Sequence, residues 1–249
     1  MASPPVPPAV VAMVPTYNEA GNIEALVREI LALPLPGIRV LVVDDNSPDG
    51  TAEIVRRMAS TDPRVELLLR TKRRGRGAAG IDGFRAALDR GADLVVEMDG
   101  DFSHQPRFIP ALVAATDGAD AAIGSRFVRG GSDADRSLIR RGITWAVRRF
   151  IRRRFRTEVR DVSSGFRCFT RRILLDVDVD DLISSGPSIV LEILYKITLR
   201  NAVIREVPIE FIDRRAGRTK LSGLTLVETL VMALKLPQLY GPPPPRRRA

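Results

Sequence analysis

Asp99-Gly100-Asp101 sets two carboxylates two residues apart, directly after the apolar run Leu94-Val95-Val96-Glu97-Met98. In extended backbone, residues i and i+2 point to the same side. Two acids on one side repel unless a positive charge lies between them, and a hard divalent cation with oxygen ligands is the natural candidate. The carboxyl end of a strand is also where open α/β sheets bind their ligands. The stretch points to metal-assisted nucleotide or phosphate chemistry, against the bland alternative of a solvated acidic turn. Ser103 and His104 follow and could add an oxygen or a nitrogen. His104, the only histidine, invites a general-base role, with a loop histidine bonded to the backbone as the competing reading. Asp44-Asp45-Asn46-Ser47 ends another apolar run, where an acid can accept hydrogen bonds from a base or a ribose hydroxyl. Helix capping accounts for Ser47 and Thr51 and leaves Asp44 and Asp45 unexplained.

Gly75-Arg76-Gly77-Ala78-Ala79-Gly80 matches the dinucleotide pattern G-x-G-x-x-G. That pattern belongs to a tight turn leaving a strand, whereas Arg70-Thr71-Lys72-Arg73-Arg74 intervenes here. The first strand also ends in Pro15-Thr16-Tyr17-Asn18-Glu19, without glycine. A flexible basic loop passing close to a diphosphate is the better reading. There is no G-K-[ST], which excludes a P-loop.

The elements that must position these residues alternate. Strands are expected at Ala9–Val14, Arg39–Val43, Val65–Leu69, Leu94–Met98 and Ala119–Ile123, with helices at Glu19–Leu33, Thr51–Ala59, Ala78–Arg90 and Phe108–Ala115. This predicts an α/β fold, a mostly parallel sheet with helices on both faces. Beyond Gly131 the pattern changes to an arginine-rich helix at Arg136–Arg156. The turn Asp161–Arg167 then leads into a short strand, followed by a helix at Ile189–Leu199 and a strand at Val203–Val207. A basic loop, Phe211–Lys220, leads to a final amphipathic helix at Leu224–Leu236. Residues 1–8 and the Pro/Arg tail 241–249 read as disordered, leaving a single domain over 9–240.

The chain of 249 residues carries a net charge of +9, and only four of its 39 basic residues are lysines. Arginine's planar fork suits phosphate and diphosphate partners. One cysteine and one histidine exclude a disulfide framework and a zinc cluster. No apolar run approaches a membrane span, and no signal-peptide pattern opens the sequence, so any membrane contact is expected to be peripheral. The 136–156 helix has three readings: a solvated face, a nucleic-acid arm, or an interfacial helix. Ile139, Ile143, Ala146, Val147 and Phe150 fall on one face. Trp145, Phe150 and Phe155 among the arginines favour anionic headgroups; no nucleic-acid motif accompanies the charge.

Taken together, the motifs resemble the polyprenol-phosphate (dolichol-phosphate) mannosyltransferases, inverting glycosyltransferases with a GT-A, Rossmann-like fold. The resemblance rests on Val14–Glu19, on Val42-Val43-Asp44-Asp45-Asn46-Ser47-Pro48-Asp49-Gly50-Thr51 and on Met98–His104. It continues through Gly124-Ser125-Arg126-Phe127-Val128, Ser163-Ser164-Gly165-Phe166-Arg167 and Arg214–Lys220, and so covers Val11 to about Tyr240. It implies that Pro15, Tyr17, Glu19, Val43 and Asp45 hold the guanosine end of GDP-mannose. Asp99, Gly100 and Asp101 would line the ribose and diphosphate. Asp101 would be the principal ligand of Mg²⁺ or Mn²⁺, with Asp99 beside it. Ser103 stands where some relatives carry a glutamine ligand, and offers a shorter one. The family's usual Asp-Ala-Asp is Asp-Gly-Asp here, which loosens the backbone. Arg126, Arg136, Arg214 and Lys220 match basic positions around the donor and acceptor phosphates; Ala216 replaces another.

The implied reaction is one in-line displacement: a polyprenyl phosphate oxygen attacks the anomeric carbon, GDP leaves, and the centre inverts. Asp101, Arg214 and Lys220 would carry the catalytic burden on the leaving diphosphate. The resemblance further implies a peripheral protein on the cytoplasmic face. The helices at 136–156 and 222–239 would face anionic lipid, or a membrane partner protein would anchor the chain; nucleic acid is not expected. Two alternatives stay open: another donor such as UDP-glucose, and a non-catalytic membrane or nucleic-acid binding protein on the same fold.

Overall fold

Short β-branched runs separated by amphipathic segments fold into one sheet covered on both faces. In this computed structural model the described residues are 7–72, 74–133, 138–212 and 223–245. The first half alternates: β1 (Val10–Thr16), α1 (Ile23–Leu31), β2 (Arg39–Asp44), α2 (Thr51–Ala59), β3 (Val65–Leu69), α3 (Arg76–Asp89), β4 (Leu94–Glu97), α4 (Ile109–Ala115) and β5 (Ala121–Ser125). The second half adds β6 (Ser132–Asp133), α5 (Leu138–Phe155), β7 (Arg167–Thr170), α6 (Arg171–Asp176), α7 (Ile189–Leu199), β8 (Ile204–Pro208), β9 (Glu210–Phe211) and α8 (Gly223–Leu239).

The main sheet runs β3-β2-β1-β4-β7-β5-β8. All its pairings are parallel except those of β7, which lies antiparallel between β4 and β5. β6 and β9 form a separate two-stranded parallel ribbon. Because side chains alternate along a strand, β1 feeds two cores. Val11 and Met13 pack with residues of α3, α5 and α7; Val10, Ala12 and Val14 pack with residues of α1, α2 and α4. This is the expected GT-A-like architecture, a mostly parallel sheet with helices on both faces.

Strand order reverses between β1 and β4, so their carboxyl ends flank the crevice where a doubly wound sheet takes its ligand. The register puts Thr16 beside Asp44 and Met13 beside Glu97. The ends of β1, β2 and β4 thereby converge.

Several boundaries differ from expectation. β1 continues through Pro15 to Thr16, and α1 starts at Ile23 instead of Glu19. The expected apolar face of the arginine-rich helix is divided: Val147 packs against the core, whereas Ile143, Ala146 and Phe150 are exposed, as is Trp145; the residues the core takes from this helix include Ile151 and Phe155. Phe155, read as part of an interface, stacks obliquely on Tyr195 at 4.7 Å. The tail expected to be disordered from Gly241 is pinned at its start. The Tyr195 hydroxyl donates to the Gly241 carbonyl at 2.5 Å and Arg156 to that of Pro243 at 3.3 Å. Among the described residues, no helix is long and apolar enough to cross a membrane.

Candidate active site

Three loops meet at the carboxyl edge, and side chains from the second lock the first. Asp44, fully buried, accepts from the Thr16 hydroxyl at 2.8 Å, the Ser47 hydroxyl at 2.6 Å and the Ser47 amide at 2.8 Å. The Ser47 hydroxyl oxygen in turn accepts the Asn18 amide at 3.0 Å, Thr51 Oγ1 accepts that of Glu19 at 3.0 Å, and Asp49 that of Ala20 at 2.9 Å. Ser47 and Thr51, expected as helix caps, thus bind the loop after β1. This fastening explains the late start of α1: the amides at 18–20 are satisfied across the crevice instead of within a helical turn.

Asp45 turns the other way. It is nearly buried and pairs with Arg70, which also reaches Asp82 at 2.8 Å. Its second oxygen accepts the Gly75 amide at 2.7 Å. Pro15 and Glu19 are half-buried, and Tyr17 is exposed with Arg74 5.9 Å from its ring centre. Val43 is fully buried and packs in the core with Met13.

Asp99 and Asp101 follow β4 but are held differently. The Arg76 guanidinium donates to Asp99 at 2.8 Å. Asp101, 3% exposed, accepts from the Ser103 hydroxyl at 2.6 Å and amide at 3.1 Å. Ser103 therefore braces Asp101. Gly100 does not adopt a left-handed conformation; Phe102 does, at φ 62°. What Gly100 supplies is space, since a Cβ there would lie 3.3 Å from Thr16 Cγ2 and 3.4 Å from Glu19 Cγ. His104 is buried, stacks on Phe166 at 5.0 Å, and its Nδ1 accepts the Asp99 amide at 3.0 Å. Its proton is thus placed on Nε2, and burial, countered by Asp99, lowers its pKa below the ordinary value. The residue is a neutral brace of the turn, the competing reading of the sequence.

Under this turn lies a buried charge network. Arg167 on β7 is fully buried and donates to the carbonyls of Ser164 at 2.6 Å, Val190 at 2.6 Å and Val162 at 3.2 Å. Burial pulls its pKa down to about 10. Glu97, opposite it in register, has both carboxylate oxygens buried without a hydrogen bond, and burial pushes its pKa up despite Arg76 and Arg167.

Arg126, just after β5, forks onto Asp161 with two contacts of 2.8 Å and reaches Ser163 at 2.9 Å. Burial alone would raise the Asp161 pKa. The Arg126 charge and hydrogen bonds outweigh it and hold the carboxyl below its ordinary range. Arg136, Arg214, Ala216 and Lys220 lie outside the described residues. Sequence reasoning missed Arg70, Arg76 and Asp161, the partners of the residues it named. The usable signal was the basic loop that holds Arg70 and Arg76, read from the sequence as passing close to a diphosphate; Asp161 offered none.

The donor set suits a hard cation shared with a substrate. Among the described residues no group of three or more His, Cys, Asp or Glu could hold a metal by itself. Mg²⁺-type sites commonly use one or two carboxylates and take remaining oxygens from substrate phosphates. Asp99 and Asp101 fit that pattern.

Away from this edge, α5 packs on α8. Ile143, Trp145 and Phe150 on α5, and Val227, Val231 and Leu234 on α8, are exposed. Arg148 instead folds back, 3.4 Å from the Phe127 ring centre and donating to the Arg160 carbonyl at 2.7 Å. A cleft of about 800 Å³ opens between α5, Pro237 and Pro243, lined by Trp145, Phe150, Arg149 and Arg153.

The glycosyl transferase family 2 model matches residues 11–178. The chain is 39% identical to an undecaprenyl-phosphate mannosyltransferase of Micrococcus luteus, over 89% of this chain and 91% of that one. It is 35% identical to a polyprenol monophosphomannose synthase of Mycolicibacterium smegmatis, over 88% and 83% of the two chains. Among solved structures, mannosyl-3-phosphoglycerate synthase from Rubrobacter xylanophilus superposes with a TM-score of 0.71 at 18% identity, covering 94% of this chain and 75% of that one. A mannosyltransferase from Pyrobaculum calidifontis, in complex with GDP-Man and Mn²⁺, does so with a TM-score of 0.62 at 22% identity, covering 96% and 67%. The acid-lined carboxyl edge and these relationships lead to one conclusion: the chain is a glycosyltransferase of family 2 and belongs with the polyprenol-phosphate mannosyltransferases.

Proposed function

We propose that this enzyme transfers mannose from GDP-mannose to a polyprenyl monophosphate with inversion, giving polyprenyl-phosphate-mannose and GDP. The observation that carries the reading is the near full-length match to the Micrococcus luteus mannosyltransferase. It is supported by the two carboxylates at the topological switch point.

In this reading the crevice after β1 and β2 takes the guanosine end against Pro15, Tyr17, Glu19, the strand end at Val43, and Asp45. Asp99, Gly100 and Asp101 face the ribose and diphosphate. Asp101, with Asp99, would hold Mg²⁺ or Mn²⁺; bound there, the ion supplies electrostatic stabilisation of the departing diphosphate. Ser103 fixes the carboxylate of Asp101 by donating its hydroxyl, and its oxygen stands beside that carboxylate as a third ligand. Arg126, Arg136, Arg214 and Lys220 attract and orient the phosphates, and Arg214 and Lys220 neutralise charge on the leaving group. The acceptor needs little general-base help, because a phosphate monoester with a second pKa of about 6 is largely ionised near neutral pH. A histidine that is neutral and occupied with the backbone is consistent with that.

The acceptor's tail stays in the bilayer. Exposed apolar residues on both α5 and α8, with the arginines of α5 beside them, support a peripheral position against anionic lipid; the reading sets it on the cytoplasmic face. A membrane partner protein could share that face.

Purified protein incubated with a short polyprenyl phosphate and competing labelled GDP-mannose and UDP-glucose tests the reading. Product from GDP-mannose alone is expected; product from UDP-glucose alone overturns the donor assignment.

A further inference from the structure

The turn into α3 looked flexible in sequence, yet Gly75 before the helix and Gly77 in its first turn are both anchored. The Gly75 amide, at φ 132°, donates to Asp45, and the Gly77 amide donates to the Ser185 carbonyl at 2.9 Å. A Cβ on Gly77 would lie 2.1 Å from the Ser184 carbonyl oxygen, so the backbone is seated without slack. Arg76, between them, is aimed inward. Its Nη2 lies 2.8 Å from Asp99 and 3.6 Å from Glu97, with its side chain 24% exposed. Space for the guanidinium comes from Gly165, where a Cβ would lie 2.7 Å from Nη2. Burial disfavours the Arg76 charge, but Asp99, Glu97 and Asp101, in that order, more than offset it.

The two carboxylates of the Asp99-Gly100-Asp101 turn are therefore unequal. Asp101 accepts the Ser103 hydroxyl and amide, whereas Asp99 accepts a hydrogen bond directly from the Arg76 guanidinium. A guanidinium and a divalent ion compete for the same carboxylate charge. A nucleoside diphosphate changes the balance, because its oxygens accept the guanidinium and supply ligands to the ion.

We propose that Arg76 is a positioning residue that occupies Asp99 in the empty enzyme and passes to the donor diphosphate on binding, so that metal and nucleotide enter together. The proposal rests on the diphosphate reading of this turn given above. It departs from a preformed metal site: the free protein should bind divalent cation weakly, and the nucleotide should be what completes the site.

The test measures Mn²⁺ binding to the full-length protein by the electron paramagnetic resonance signal of free Mn²⁺, with and without GDP. Wild type, Arg76→Met and Arg76→Lys are compared, with circular dichroism and thermal melts as folding controls. Wild type should bind Mn²⁺ at least tenfold more tightly with GDP than without. Removing an opposite charge beside a carboxylate alters its affinity for a cation about tenfold, so Arg76→Met should gain about that factor for Mn²⁺ without GDP. The same variant should bind GDP more weakly in the absence of metal, and Arg76→Lys, which keeps the charge, should resemble wild type. Unchanged Mn²⁺ affinity in Arg76→Met without GDP overturns the proposal. So does a wild type whose Mn²⁺ affinity ignores GDP, a measurement that stands even if Arg76→Met fails to fold. If wild type binds neither Mn²⁺ nor GDP, the diphosphate reading itself falls, and this proposal with it.

Discussion

The carboxyl edge of β1, β2 and β4 and the outer face of α5 use charge in opposite ways. On the edge, Asp44, Asp45, Asp99 and Asp101 all accept hydrogen bonds from neighbouring side chains or amides. On α5, Arg149 and Arg153 have no acid among the described residues within ion-pair distance, and Trp145 beside them is 61% exposed. The first region has fixed most of its polar groups in advance, so apart from the Arg76–Asp99 pair a ligand meets dipoles that are already oriented. The second keeps its charges exposed to solvent, which suits a diffuse anionic surface and makes its attraction strongly salt-dependent. Arg126 shows that arginine itself does not decide the matter: buried against Asp161, it belongs to the fixed class.

The largest effect should come from the fixed region. Asp101→Ala is expected to lower kcat/KM for mannosyl transfer by roughly 10³-fold, while binding to anionic vesicles is retained. Transfer at wild-type rates, or joint loss of transfer and vesicle binding in a folded variant, would break the division between the two regions. Next is the pair beneath the edge. Removing one partner of a buried ion pair costs about 3 kcal/mol or more, so Asp161→Asn should be destabilised by about that amount in urea melts at pH 7. The Asp161 pKa lies below its ordinary value of 3.8. Its contribution is therefore complete above that value and is lost as pH falls through the lowered native pKa. The gap between wild type and variant should narrow in that acid range; a gap independent of pH contradicts the assignment. Smallest are the changes on α5. Arg149→Gln and Arg153→Gln should each weaken co-sedimentation with phosphatidylglycerol vesicles about fivefold, the equivalent of ~1 kcal/mol per arginine near such a surface. Added salt should abolish the difference. Equal binding of wild type to neutral and anionic vesicles would sink the idea.

What the sequence reveals follows the range of the interactions involved. α2, β3 and α7 begin and end where periodicity puts them, because their signals are local. α1 does not, because residues 18–20 are held by Ser47, Asp49 and Thr51 from another loop. β7 was visible as a strand, but its antiparallel placement between β4 and β5 was not; no single stretch of residues encodes who its neighbours are. The site shows the same split. Its acids stand out, since carboxylates closing apolar runs are conspicuous. Their partners Arg70 and Arg76 do not, since in an arginine-rich chain one more arginine carries little information until the fold says what it faces, and Asp161 reads as a turn residue until the fold sets it against Arg126.

The insertion of β7 has a consequence for how the molecule is made. β1 to β4 join within the first ninety-seven residues, as their pairing shows. The free side of β4 receives its neighbour only when residues 167–170 exist. A chain still on the ribosome and shorter than that carries β4 with an unpaired edge, the kind of template on which strands of other chains add. Long-range pairing of this sort is slow to form. The edge beside the Asp99–Asp101 turn thus stays open from the emergence of β4 until β7 has been made.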